Sequence, residues 1–196
     1  MFNLRWAVPE LFLENQLNFI FGSTGAGKTT LALQIFDDLS AGRPTIFGRE
    51  TIQTAACMVS CEHTIALLRA HMAQVGVSLT LPHLSLIGLL NPTTNEFTFE
   101  AAMEIVLRRF PDTRVVFFDG FSNLCPGKIT EHRDVTQFLI GCKQYMQHHD
   151  ITVVGTVPTC KLKEGGGYIN PFERIVGSGA FASQAATKAL IAERSG

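Results

Sequence analysis

The chain has 196 residues, a net charge of −1 and 46% hydrophobic residues. That length suits one α/β domain with a sizeable core, so residues 1–196 are read as a single domain. The near-neutral charge excludes a globally basic nucleic-acid binder, and any DNA contact must come from local loops. The five cysteines are scattered; Cys57 and Cys61 are the closest pair, and no second pair completes a zinc set. Free thiols in a reducing cytoplasm are expected, with no signal-peptide pattern and no apolar run long enough to span a membrane.

In chain order, residues 1–16 read as an edge strand or hairpin. Phe2, Leu4, Trp6, Val8, Leu11, Phe12 and Leu13 supply its apolar side, Asn15 marks the turn, and Trp6 is expected in the core. Residues 17–21 are a short apolar run of strand character, and residues 28–40 follow a helical pattern. Between them Gly22-Ser23-Thr24-Gly25-Ala26-Gly27-Lys28-Thr29 fits the nucleotide-phosphate pattern G-x-x-x-x-G-K-[ST] without a mismatch, with Thr30 next to it. A strand, a glycine-rich turn and a helix N-terminus place bare backbone N–H groups around an anion. Gly22, Gly25 and Gly27 let the backbone approach phosphate oxygens and take φ angles that other residues avoid. Lys28 is then placed to reach the β- and γ-phosphates of ATP, and the Thr29 hydroxyl to ligate Mg²⁺.

Ala41-Gly42-Arg43-Pro44 ends the first helix, and residues 45–54 connect it to a second buried strand at 55–60. That strand runs into Cys61-Glu62-His63. A helix follows, with Ile65, Leu67, Leu68, His71, Met72 and Val75 in helical spacing and Gly76 at its end. Further on come a short strand at 84–87, an amphipathic helix at 99–110 and a third buried strand at 115–119. A helix at 134–148 and a fourth strand at 151–156 come next. Residues 160–171 form a loop with consecutive glycines at 165–167, and a final strand covers 185–192. Strands alternating with helices imply a mostly parallel sheet with right-handed crossovers.

Three features carry chemistry beyond the phosphate loop. Asp119 ends a buried strand, where an acid can hold Mg²⁺ directly or through water; a turn-capping aspartate is the alternative. The residue after it is Gly120, not an acid, so a water-activating base must sit elsewhere. Glu62, at the end of the second strand, is the candidate, with Glu50 next. An acid that merely favours the following helix N-terminus is the alternative for Glu62, and His63 is expected as a surface residue of that turn. Finally, Lys161, Lys163 and Arg174 surround the glycine-rich stretch, and Val176-Gly177-Ser178-Gly179-Ala180-Phe181 leads to the last strand. Flexible backbone and cations suit a polyphosphate strand, with a solvated loop as the alternative. Lys128 and Arg133 form a second, weaker basic loop.

Taken together, these segments resemble the RecA-like hexameric ATPases, most closely RepA-type plasmid and phage replicative helicases, and also the ATPase core of DnaB-type helicases. The likeness covers nearly the whole chain: residues 22–34 match the phosphate loop and its helix, 41–44 a turn, 59–62 the strand-end glutamate, 117–119 the metal-site strand, and 177–180 the last motif, which lines the DNA channel. The resemblance implies an α/β, RecA-like P-loop NTPase fold with a mostly parallel central sheet flanked by helices. It implies ATP hydrolysis with Mg²⁺, single-stranded DNA as partner, and a homo-oligomeric ring or filament. On this reading Glu62, Lys28 and Asp119 are catalytic, and Lys161, Lys163, Arg174, Gly177, Ser178 and Gly179 contact DNA. A helicase or translocase of replication or recombination is the first expectation. A strand-annealing DNA-binding protein with weak ATPase, or a switch ATPase binding a protein partner, are the alternatives. The polar sensor of the family falls on Thr156-Val157-Pro158-Thr159, where Thr156 or Thr159 offers a hydroxyl. Lys188 and Arg194 are the cations near the position of the family's arginine finger.

Overall fold

Alternate residues of each core strand enter opposite layers. The computed structural model describes residues 5–87, 98–159 and 179–191. A hairpin of β1 (Trp6–Val8) and β2 (Phe12–Leu13) precedes β3 (Leu17–Gly22), α1 (Lys28–Ala41), β4 (Ala56–Ser60), α2 (Ile65–Val75) and β5 (His83–Ser85). Then come α3 (Phe99–Arg109), β6 (Val115–Asp119), a short 3₁₀ turn (Phe121–Leu124), α4 (His132–His149), β7 (Thr152–Pro158), α5 (Ala180–Gln184) and β8 (Thr187–Ile191).

The main sheet has six strands in the order β5-β4-β6-β7-β3-β8, and each pairing is parallel. Phe19 and Phe21 of β3, Cys57 and Val59 of β4, and Val116 and Phe118 of β6 pack with α3, α4 and α5. Ile20, Met58 and Phe117 point the other way, into a core shared with Leu33 and Phe36 of α1 and Leu68 and Met72 of α2. A parallel strand covered on both faces must be apolar at successive positions, which is why these strands read as unbroken apolar runs. The expected α/β architecture is the observed one.

Two details of this packing are exacting. A Cβ added at Gly155 in β7 would come within 2.8 Å of Phe121 Cβ and 2.9 Å of Phe19 Cε1. The absent side chain lets those two rings pack with centroids 5.2 Å apart. Asn18 is the buried polar residue of β3, and its amide is satisfied. Its nitrogen donates to the Leu13, Gln16 and Val153 carbonyls, and its oxygen accepts from Leu13 N and the Thr187 hydroxyl. One side chain thereby ties the hairpin, β3, β7 and β8 together.

Several expectations need correction. The hairpin forms, but as a separate two-stranded sheet beneath the α1 face rather than on the sheet edge. Val8 and Phe12 join that core, with Phe12 edge-on to Phe117. Trp6 is only half-buried. In α2 only Leu68 and Met72 are buried, while Ile65 and Leu67 are exposed, so part of the apolar pattern faces solvent. The last strand is preceded by α5, which has too few residues to show a helical period. The glycine-rich 160–171 stretch lies outside the described residues.

Candidate active site

Parallel pairing brings the carboxyl ends of β3, β4, β6 and β7 to one edge of the sheet. Gly22 is level with Pro158, and Ser60 with Asp119. In open α/β sheets this edge is where ligands bind. A cavity of about 450 Å³ opens there, lined by the phosphate loop together with Glu62, His63, His71, Asp119, Thr156 and Pro158. Another hollow of about 380 Å³, near Thr98 and Asp134, contains none of these groups.

The loop itself has the conformation its glycines permit. Gly25 and Gly27 take φ of +87° and +90°, in the left-handed region that side chains disfavour. Gly22 serves differently from the expectation: its φ is not positive. A Cβ there would lie 3.3 Å from Lys28 Cγ and 3.4 Å from Ala26 and Ile191 Cβ, so the glycine gives close approach rather than an unusual φ. The Lys28 ammonium donates to the carbonyls of Gly22 (3.0 Å) and Ser23 (2.8 Å), which hold it over the loop. Burial lowers its pKa, opposed by the nearby negative charges of Glu62 and Asp119.

Asp119 is buried at the centre of a hydrogen-bonded group. Its Oδ1 accepts from the Thr29 hydroxyl at 2.6 Å and from the Thr156 hydroxyl at 3.2 Å, and its Oδ2 faces His63 Nδ1 at 3.2 Å. Thr156 also accepts from the backbone N–H of Gly120 at 2.8 Å. The Thr156 hydroxyl is therefore committed to orienting Asp119. Thr159 ties its own strand to the phosphate loop, its N–H donating to the Gly22 carbonyl at 2.9 Å.

Glu62 lies against Gly120. A Cβ at position 120 would be only 2.4 Å from Glu62 Cγ, and Gly120 has φ of +79°. The glycine after Asp119 therefore makes the room in which an acid from the neighbouring strand can stand. Burial first, then Asp119, raises the Glu62 pKa, while His63, Lys28 and a hydrogen bond from Asn123 lower it. The side chain is nevertheless exposed at the cavity mouth, so water screens part of this push. Glu50 is exposed and is not among the residues lining the cavity.

His63 corrects the expectation of a surface residue, because its ring turns inward onto Asp119. In the sequence His71 is only one position of a helical pattern. It lines the cavity, with Nε2 3.1 Å from the Thr30 hydroxyl. No local signal separates it from a helix-face histidine, since its partner is 41 residues away.

The sequence profile of the AAA_25 family, an AAA domain, matches residues 3–162. The chain belongs to this AAA domain family. No curated protein matches it in sequence. Among solved structures it is similar to a KaiC-like protein of the hyperthermophilic archaeon Pyrococcus horikoshii OT3. The identity is 15%, the TM-score 0.61, and the match covers 94% of this chain and 74% of that one. As many as 516 solved chains match, so the fold is widely shared and does not single out one activity. Family and fold together place this AAA domain among P-loop ATPases of RecA-like architecture.

Of the residues expected to contact DNA, Gly179 caps the N-terminus of α5. Lys161, Lys163, Arg174, Gly177 and Ser178 lie outside the described residues, as does Arg194. Lys128 is exposed between β6 and α4, and Arg133 is exposed in the first turn of α4 rather than in a loop. Among the described residues, no helix is long and apolar enough to cross a membrane.

Proposed function

We propose that this AAA domain hydrolyses ATP to drive movement along single-stranded DNA, acting as a homo-oligomeric ring or filament in replication or recombination. The observation that carries the hydrolytic part is the convergence of Lys28, Thr29, Asp119 and Glu62 on one cavity, from the N-terminus of α1, the end of β6 and the turn after β4. The loop N–H groups and Lys28 bind the polyphosphate. The donor set suits a hard divalent cation: the Thr29 hydroxyl already touches the Asp119 carboxylate at 2.6 Å. Thr29 and Asp119 would hold Mg²⁺, which when bound neutralises charge on the phosphates. Glu62 takes the proton from the water whose oxygen attacks the γ-phosphorus, the bond from that phosphorus to the β–γ bridging oxygen breaks and ADP leaves, and the nearby Lys28 stabilises charge on the phosphoryl oxygens.

The DNA part rests on the local cations Lys161, Lys163 and Arg174 and on the resemblance to replicative helicases, with Gly177, Ser178 and Gly179 adding backbone and hydroxyl contacts. A second reading, slow turnover in a DNA-annealing or switch protein, is favoured by the Thr156 hydroxyl. It is bonded to Asp119 and Gly120 and leaves that position without a free sensor group.

The deciding experiment is the ATPase rate with and without single-stranded DNA. Strong stimulation supports the motor. Binding without stimulation moves the annealing protein to first place, and no binding leaves the switch ATPase.

A further inference from the structure

The inward turn of His63 gives the cation region a nitrogen ligand that the Thr29 and Asp119 pair does not need. One ligand atom each from Glu62, His63 and Asp119 lies within 4.8 Å of the others. Donors on one ion at about 2.1 Å stand roughly 3 to 4.2 Å apart, so a small side-chain adjustment closes this set.

The segments that carry His63 and Asp119 are also held in place. Ser60 Oγ accepts the His63 N–H at 2.9 Å, and the Ser85 hydroxyl donates to the His63 carbonyl at 2.6 Å. The Cys61 N–H donates to the Asp119 carbonyl at 2.8 Å. Thr29 and Thr156 occupy Asp119 Oδ1 and leave Oδ2 towards His63. Outer partners that fix ligand orientation in this way are half of what makes a metal site.

We propose that Glu62, His63 and Asp119 bind one late first-row divalent cation, of the Co²⁺ and Zn²⁺ class, in the nucleotide-free protein. Mg²⁺ prefers an all-oxygen shell, whereas imidazole favours Co²⁺ and Zn²⁺, so the single nitrogen sets the preference. Glu62 cannot be a ligand and a water-activating base at once, and the site therefore belongs to the resting protein. The site rests on the nucleotide reading above only in sharing Glu62 and Asp119 with it, and binding there does not depend on turnover.

The test is a Co²⁺ titration of untagged, nucleotide-free protein followed by visible absorption, with Zn²⁺ and Mg²⁺ as competitors. Binding of a fluorescent ATP analogue is measured separately on the same samples. The expected result is one Co²⁺ per chain, displaced by equimolar Zn²⁺ but not by equimolar Mg²⁺. His63→Ala and His63→Gln should each weaken Co²⁺ by about tenfold to 100-fold, on the scale of a damaged metal shell, while still binding the ATP analogue. Unchanged Co²⁺ affinity and spectrum in both variants overturns the proposal. So does displacement by equimolar Mg²⁺, or the absence of Co²⁺ binding in wild type. Co²⁺ binding without binding of the ATP analogue would instead refute the nucleotide reading and leave this site standing.

Discussion

Replacing Gly120 by alanine tests the link between packing and chemistry most directly. The added Cβ would sit 2.4 Å from Glu62 Cγ, 2.7 Å from Oε1 and 2.8 Å from Cδ, all far below contact distance. Glu62 is exposed and free to rotate, whereas the β6 backbone is fixed by pairing on both sides, so the glutamate moves. It then loses both its hydrogen bond from Asn123 and its place in the cavity. Loss of a general base slows turnover by about 10²-fold, which corresponds to about 2.7 kcal/mol of barrier. The backbone adds a separate cost: φ at position 120 is +79°, and a side chain in that region costs about 1–2 kcal/mol. For a domain of this size the melting temperature should fall by about 2–8 °C. Gly120→Ala should therefore match Glu62→Gln in kcat, keep nucleotide affinity within a few-fold, and melt slightly lower. The assays are steady-state ATPase rate, binding of a fluorescent nucleotide and a thermal melt. A folded Gly120→Ala protein that hydrolyses ATP at the wild-type rate would refute the role of Glu62, as would a normal rate in Glu62→Gln.

Other substitutions probe the remaining contacts. Lys28→Ala should abolish measurable nucleotide binding or hydrolysis with an unchanged circular dichroism spectrum, and a folded variant with normal ATPase would contradict the phosphate-loop assignment. Thr156→Val leaves the buried Gly120 N–H and Asp119 short of a partner, which should cost about 1–3 kcal/mol in a denaturant titration and lower turnover; no change in either would show that the hydroxyl is dispensable. Changing Lys161, Lys163 and Arg174 together to alanine should weaken oligonucleotide binding and flatten its salt dependence by about 0.7 for each phosphate that is no longer neutralised, with basal ATPase nearly intact. Equal slopes in wild type and the triple variant would reduce that loop to a solvated lid or subunit contact.

The conformation of the 22–29 loop and the buried strand that ends in an acid were readable from sequence because their determinants are local. A run of eight residues sets the loop's φ angles, donors and helix start, and a strand buried on both faces is a continuous apolar run that ends visibly at Asp119. Periodicity also located the main helices, but not how much of each face is buried: Leu67 of α2 fits the helical pattern and is 54% exposed. What the tertiary structure alone decided are the pairings between distant segments. Thr29 meets Asp119 across 90 residues, and Thr156 meets it across 37. His63 turns onto Asp119 because Ser60 and Ser85 fix its backbone, which no property of the Cys61-Glu62-His63 tripeptide announces. Gly120 likewise reads as a missing acid in the sequence. Only the parallel register of β4 beside β6 shows that its missing side chain is the space Glu62 occupies.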